Sequence, residues 1–163
     1  MPVELLPLSP DDMEEMAGIF NHYVEHSFAT YTETPVSMER FEGLMNFTPG
    51  YPAFVARDSA GVLAGFGLLR PYSPIPAFDR AAELTCFLAK GYTGRGIGSM
   101  ILQALQSGAV ELGIETIVAT VSSLNEGSLR FHRARGFTEQ GRLAGIGSRN
   151  GRRFDVVYLQ KIL

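Results

Sequence analysis

The sequence has one cysteine, no excess of positive charge and no long apolar run, and each shortage excludes a class of function. A lone thiol, Cys86, cannot close an internal disulfide. The net charge of -3 and pI near 5.6 leave no basic footprint for a phosphate backbone, so nucleic acid is not an expected partner. No segment supplies the roughly 20 apolar residues of a membrane helix, so no membrane contact is expected. Near Met1 there is no charged start, apolar stretch and small-residue cleavage site of the kind that directs secretion. The expected setting is the cytoplasm.

The chain has 163 residues, 45% of them hydrophobic, enough for one domain over residues 1–163 with a sizeable core. Residues 3–8 read as a first strand. Ser9 or Asp11 then caps a helix with an acidic first turn and an apolar face of Met13, Met16, Ala17, Phe20 and Val24. Residues 28–35 read as a loop. Ser37 caps a short helix carrying Met38, Phe41, Leu44 and Met45, which ends at Pro49-Gly50. Two apolar runs, residues 53–57 and 62–69, flank Asp58-Ser59-Ala60-Gly61 as a hairpin. Three prolines make residues 71–78 an exposed, stiff loop.

Residues 83–88 form the next strand, and a helix opens at Gly96 or Ile97. Its apolar face is Ile97, Ile101, Leu102, Leu105, Ala109 and Leu112, and Gly113 stops it. Residues 116–121 are a β-branched strand. Asn125 caps a helix ended by Gly136, and two closing strands turn at Asn150-Gly151. This order predicts an α+β fold, a mixed and mostly antiparallel sheet flanked by helices, with no internal repeat.

Between a strand and a helix lies Thr93-Gly94-Arg95-Gly96-Ile97-Gly98-Ser99. Glycines there let the backbone approach a ligand and aim free N–H groups at it, reinforced by the positive end of the helix dipole. Read alone, the turn fits a tight loop, a dinucleotide site or another anion cradle. The dinucleotide reading fails in detail: Ser99 takes the third glycine position, and Glu115 precedes its strand instead of ending it. An ATP-type loop lacks its Gly-Lys-Ser/Thr.

The element order and Gly94-Arg95-Gly96-Ile97-Gly98-Ser99 resemble the GNAT superfamily of N-acetyltransferases, whose pyrophosphate motif is written Q/R-x-x-G-x-G/A. Thr93 stands where Gln or Arg is usual. Residues 28–35, residues 83–88 and the stretch from Asn125 to Phe137 narrow the resemblance to the phosphinothricin acetyltransferase-like branch. It implies an acetyl-coenzyme A-dependent transfer to the primary amine of a small, amino-acid-like acceptor, and a homodimer.

The resemblance also implies roles. Cys86, Phe87 and Leu88 would lend backbone contacts to an extended pantetheine arm by strand addition, one N–H polarising the thioester carbonyl. The turn residues Gly94 to Ser99 would bind the pyrophosphate, with Asn125 as helix cap and amide contact. Glu83 matches the branch's general base, needed because an ammonium has no lone pair. His132 stands where most GNAT enzymes carry a tyrosine, as general acid or as part of the proton relay. Phe28, Tyr31, Tyr72 and Phe78 would wall the acceptor pocket, with Glu33 as a charge for the ammonium.

Where the branch often carries basic residues in the second loop, this chain has Ser73 and Ile75, and Arg149, Arg152 or Arg153 would have to replace them for an anionic acceptor. Two readings from other classes stand beside this one. A non-catalytic acyl-coenzyme A sensor would keep the turn and lose the chemistry. His22-Tyr23-Val24-Glu25-His26 fits the H-x-x-E-H spacing of inverted zinc peptidases, but a polar helix face explains it better, and no metal is expected.

Overall fold

The computed structural model describes residues 2–163. The elements are β1 (Val3–Pro7), α1 (Met13–His26), α2 (Met38–Met45), β2 (Ala53–Asp58), β3 (Leu63–Pro71), β4 (Ala81–Leu88), α3 (Ile97–Glu111), β5 (Thr116–Ser122), α4 (Glu126–Ala134), β6 (Thr138–Arg149) and β7 (Arg152–Ile162). This is the predicted order. The strands form one sheet in the order β1-β2-β3-β4-β5-β7-β6. Every pairing is antiparallel except β4 with β5.

The β4–β5 exception positions the site. The pair is in register only at Ala81↔Thr116, Ala82↔Ile117 and Glu83↔Val118. Beyond Glu83 the two strands part, and the remainder of β4 keeps a partner only in β3. A mixed sheet that splays in its middle opens a cleft between two edges whose peptide groups still need partners.

Each face of the sheet carries its own core. On one, α3 presents Ile97, Ile101, Leu102, Leu105 and Ala109 to Ala82, Leu84, Ile117, Ala119, Val157 and Leu159. On the other, the predicted apolar face of α1 packs with Phe41 and Met45 of α2 against Val55, Phe66 and Leu68. Each fully buried Leu or Ile contributes roughly 1.5–3 kcal/mol over an exposed one. Arg57 ties the start of α1 to the β2–β3 hairpin, meeting Asp12 at 2.7 Å, Glu15 at 2.9 Å and the carbonyl of Gly61 at 2.9 Å.

Some boundaries differ from the sequence reading. Ser9 caps a single 3-10 turn, Pro10–Asp12, and α1 starts at Met13. Helix α2 stops at Met45 because Asn46 adopts the left-handed conformation, φ 48°, before Pro49-Gly50 is reached. Residues 71–78 include one 3-10 turn, Pro76–Phe78, since a proline at the first position of such a turn has no N–H to waste. Leu112 is exposed instead of buried, standing at the cap past the last residue of α3. The β6–β7 turn is as expected, with Asn150 and Gly151 both at positive φ.

Candidate active site

Where β4 and β5 part, a cavity of about 560 Å³ runs between them. Its edge is set by backbone alternation. Ala89 N–H donates to the carbonyl of Ala64 at 2.8 Å, and Tyr72 N–H to that of Ala81 at 3.2 Å. With Phe66↔Phe87 in register, the odd-numbered residues of β4 exchange their hydrogen bonds with β3. Leu84, Cys86 and Leu88 therefore turn their peptide groups away from β3; the Glu83↔Val118 bridge takes the Leu84 N–H, which leaves the cleft the Leu84 carbonyl and the peptide groups of Cys86 and Leu88.

This corrects the expectation for Phe87. Its amide is spent in the sheet, while its ring lines the cavity and packs on Phe20 and Phe66 at 5.5 and 5.7 Å. Leu84, absent from the sequence reading, takes its place at the edge. The Leu88 carbonyl is already occupied by the Tyr23 hydroxyl. Cys86 is no nucleophile: desolvation pushes its thiol up to about 12, so the sulfur stays protonated near neutral pH.

The glycine turn closes one end of the cavity. Thr93, Gly94 and Gly98 line it. Gly94 and Gly96 sit at φ 73° and 81°, where a side chain would be strained, and Gly96 is the N-cap of α3 without a side-chain cap bond. The N–H groups of Ile97, Gly98 and Ser99, the first turn of the helix, thus have neither a helical nor a side-chain partner of that kind. A Cβ on Gly98 would come within 2.9 Å of the Phe131 ring, so this glycine also lets α4 approach.

The remaining turn residues face elsewhere. Ile97 is buried in the core, Arg95 lies 5.3 Å from the Tyr92 ring, and the Ser99 hydroxyl accepts from Arg135 Nε at 2.6 Å. Their side chains do not reach the cavity wall, which leaves backbone contact as their contribution.

Helix α4 supplies the opposite wall. Asn125 Oδ1 accepts from Ser128 N–H at 3.2 Å, the predicted cap, and the residue also borders the cavity. His132 borders it too, only 7% exposed, between the rings of Phe131 and Phe137. Its Nδ1 lies 2.7 Å from the carbonyl of Ser128 and therefore carries the proton, leaving the lone pair on Nε2. Burial holds its pKa below the ordinary imidazole value, with the Arg135 charge adding to the effect. The resting ring is a neutral proton acceptor and must take up a proton before it can act as an acid.

Glu83 lies at the point where the strands part. It faces Arg70 across the β3–β4 pair, Nη2 to Oε1 at 3.5 Å, and Arg70 Nη1 donates to Thr85 Oγ1 at 2.7 Å. The sequence reading missed Arg70, because only the register Arg70↔Glu83 brings it beside the carboxylate, and with it the contact to Thr85, two residues along β4 on the same face. Glu83 also lines a second cavity, about 530 Å³, with Tyr31, Tyr72, Thr120 and Tyr158. Tyr31 and Thr120 border both cavities.

The other expected acceptor residues lie outside both walls. Phe28 packs under the guanidinium groups of Arg149 and Arg152, at 5.5 and 4.8 Å. Glu33 accepts from the Asn150 N–H at 2.7 Å, joining the loop to the β6–β7 turn. Phe78 rests on Tyr72, ring centroids 5.7 Å apart. Nor do the three C-terminal arginines supply a cation: Arg149 is buried and donates to the carbonyls of Val24, Ser27 and Thr30, and Arg153 to that of Gly145. His22 and His26 stack at 4.6 Å, and among the described residues no group of three His, Cys, Asp or Glu could hold a metal ion.

Residues 16–137 match the Acetyltransferase (GNAT) family. The chain belongs to the GNAT family. It is 31% identical over 161 residues to the phosphinothricin N-acetyltransferase of Streptomyces viridochromogenes, covering 98% of this chain and 87% of that protein. It is 30% identical over 151 residues to the L-methionine sulfoximine/L-methionine sulfone acetyltransferase of Pseudomonas aeruginosa, covering 91% and 88%. The crystal structure of a GNAT superfamily phosphinothricin acetyltransferase from Sinorhizobium meliloti in complex with AcCoA has a TM-score of 0.88 at 29% identity, covering 100% of this chain and 89% of that one.

This GNAT protein is an acetyl-coenzyme A-dependent N-acetyltransferase. The observed groups suit that donor. An uncapped helix N-terminus offers free N–H groups to an anion, and the strand edge at Cys86 offers unpaired peptide groups to an extended amide chain.

Proposed function

We propose that the enzyme acetylates the α-amine of a free amino acid or a close analogue. The observation that carries this reading is the Arg70–Glu83 pair where the cleft meets the second cavity. Side by side, a guanidinium and a carboxylate complement a zwitterion: Arg70 takes the α-carboxylate and Glu83 the α-ammonium. The names of the relatives, whose acceptors are amino-acid analogues, support the same class.

In this reading Glu83 removes the ammonium proton, directly or through one water, so that the amine has a lone pair with which to attack. Acetyl-coenzyme A supplies the activated acyl group. The peptide N–H group of Cys86 on the open edge donates to the thioester oxygen as charge builds there. His132, poised as a neutral acceptor at Nε2, takes up a proton and delivers it to the departing sulfur. The homodimer and the cytoplasmic setting belong to the same proposal.

Thiol release measured with an amino acid and with its amide tests the pairing. The amide keeps the amine and loses the partner of Arg70. It should fall in kcat/KM by about tenfold or more, and Arg70→Met should abolish that difference. Equal turnover of acid and amide by the unaltered enzyme would refute the assignment of Arg70.

A further inference from the structure

The second cavity is built for a side chain unlike those of the acceptors named for the relatives. We infer that it is the side-chain subsite of the acceptor and that the preferred substrate is an α-amino acid with an aromatic or branched apolar side chain. This rests on the reading that puts the α-amine at Glu83 and the α-carboxylate at Arg70.

The cavity is walled by Val118 beside Glu83 and by Leu143, Ile146 and Val156, with Thr120 and three tyrosines completing the lining, and Glu83 is the only charged residue among these. A phosphinate, sulfoximine or second carboxylate seated there would give up water and gain no cation. The nearby arginines are committed. Arg149 holds three backbone carbonyls, Arg153 holds Gly145, Arg142 holds Glu139 and Asp155 at 3.0 and 3.1 Å, and Arg152 lies over the Phe28 ring at 4.8 Å, outside the cavity wall. A hydrocarbon side chain, by contrast, covers apolar surface that water now touches: Ile146 is 59% and Leu143 43% exposed.

The apolar wall is held in place by the fold. In β6 the register jumps from Leu143↔Val156 to Gly147↔Phe154, leaving residues 144–146 opposite Asp155. Asp155 Oδ1 accepts from Gly145 N–H at 2.7 Å and Oδ2 from Arg142, which fixes this bulge from inside. At its end Gly147 leaves room for the Phe154 ring, which a Cβ would meet at 2.0 Å. That ring stacks on Tyr31 at 5.6 Å and 7°, and Tyr31 borders both cavities. The subsite therefore adjoins the cleft across Tyr31 and Thr120, which line both.

The test is kcat/KM by thiol release for L-phenylalanine, L-leucine, L-glutamate, phosphinothricin and methionine sulfoximine. The expected result is that phenylalanine or leucine exceeds glutamate and phosphinothricin by at least about tenfold. Ile146→Arg, at an exposed position, should lower the apolar acceptors about tenfold and narrow their lead over phosphinothricin, and Leu143→Lys should do the same. A preference for phosphinothricin or glutamate in the unaltered enzyme overturns the inference while leaving the zwitterion reading intact. So does an unchanged ratio of kcat/KM for the apolar acceptors to that for phosphinothricin in both variants. Failure of every α-amino acid in the panel, with acetyl-coenzyme A still bound, overturns the zwitterion reading and this inference together.

Discussion

At the scale of single residues, the proposed chemistry rests on two groups whose surroundings differ in kind. Glu83 stands beside a guanidinium at the edge of the cleft, and His132 is enclosed by aromatic rings. Glu83→Gln should reduce kcat by about 10²–10⁴-fold, measured by thiol release. Unchanged kcat in that variant would end the base assignment. For His132 the folded-state pKa is depressed from its ordinary value of 6.5, so the unfolded chain takes the proton first as pH falls. The stability of the buried neutral ring is then full above that ordinary value and declines below it, until the folded-state pKa is passed. Urea unfolding at a series of pH values should show this decline in the parent and a flatter curve in His132→Gln. Both residues were legible in the sequence through the motifs around them. Arg70 was not, since it lies 13 positions from Glu83 in the chain and only strand register makes them neighbours.

At the scale of elements, two devices shape the site. One is the turn into α3. Gly96→Ala places a side chain at φ 81° and should raise the KM for acetyl-coenzyme A severalfold, at a stability cost of about 1 kcal/mol, whereas Thr93→Ala should change KM little. A large effect at Thr93 with none at Gly96 would show that a side chain, not the backbone, holds the pyrophosphate. Gly98 is a poorer test, because α4 occupies the space its side chain would need. The other device is the segment after α1. Arg149, 2% exposed, ties the carbonyls of Val24 and Ser27 at the end of that helix to Thr30, and Tyr31 follows directly. Arg149→Met leaves three carbonyls without this donor and should cost about 1–3 kcal/mol. Amide hydrogen exchange should quicken in residues 27–32, and the acceptor KM should rise more than that of acetyl-coenzyme A. Unaltered exchange there would show that the segment holds itself. The sequence offered Arg149 as a ligand for an anion; its true partners are backbone groups more than 100 residues away, and no periodicity announces those.

At the scale of the whole molecule, one core under α3 spans the split, joining residues of β3 and β4 to residues of β5 and β7, and a second core under α1 and α2 covers the other face at β2 and β3. In the proposed site a donor molecule in the split would bridge β4 to β5 and α4, so acetyl-coenzyme A should stabilise the fold, by about 2.7 kcal/mol at a concentration 100 times its Kd. Calorimetric unfolding with and without the ligand measures this. The sequence by itself determined the order of strands and helices, the α+β class, the glycine turn and the two titratable candidates, because periodicity, caps and turn residues are local properties. Only the tertiary structure decided that the parting of β4 from β5 turns Leu84 and Cys86 instead of Phe87 to the cleft. It alone placed Arg70 beside Glu83, and it alone gave the acceptor an apolar wall from a bulge in β6. Those features are set by register between strands, and one residue of slip reverses which side of a strand faces the cleft.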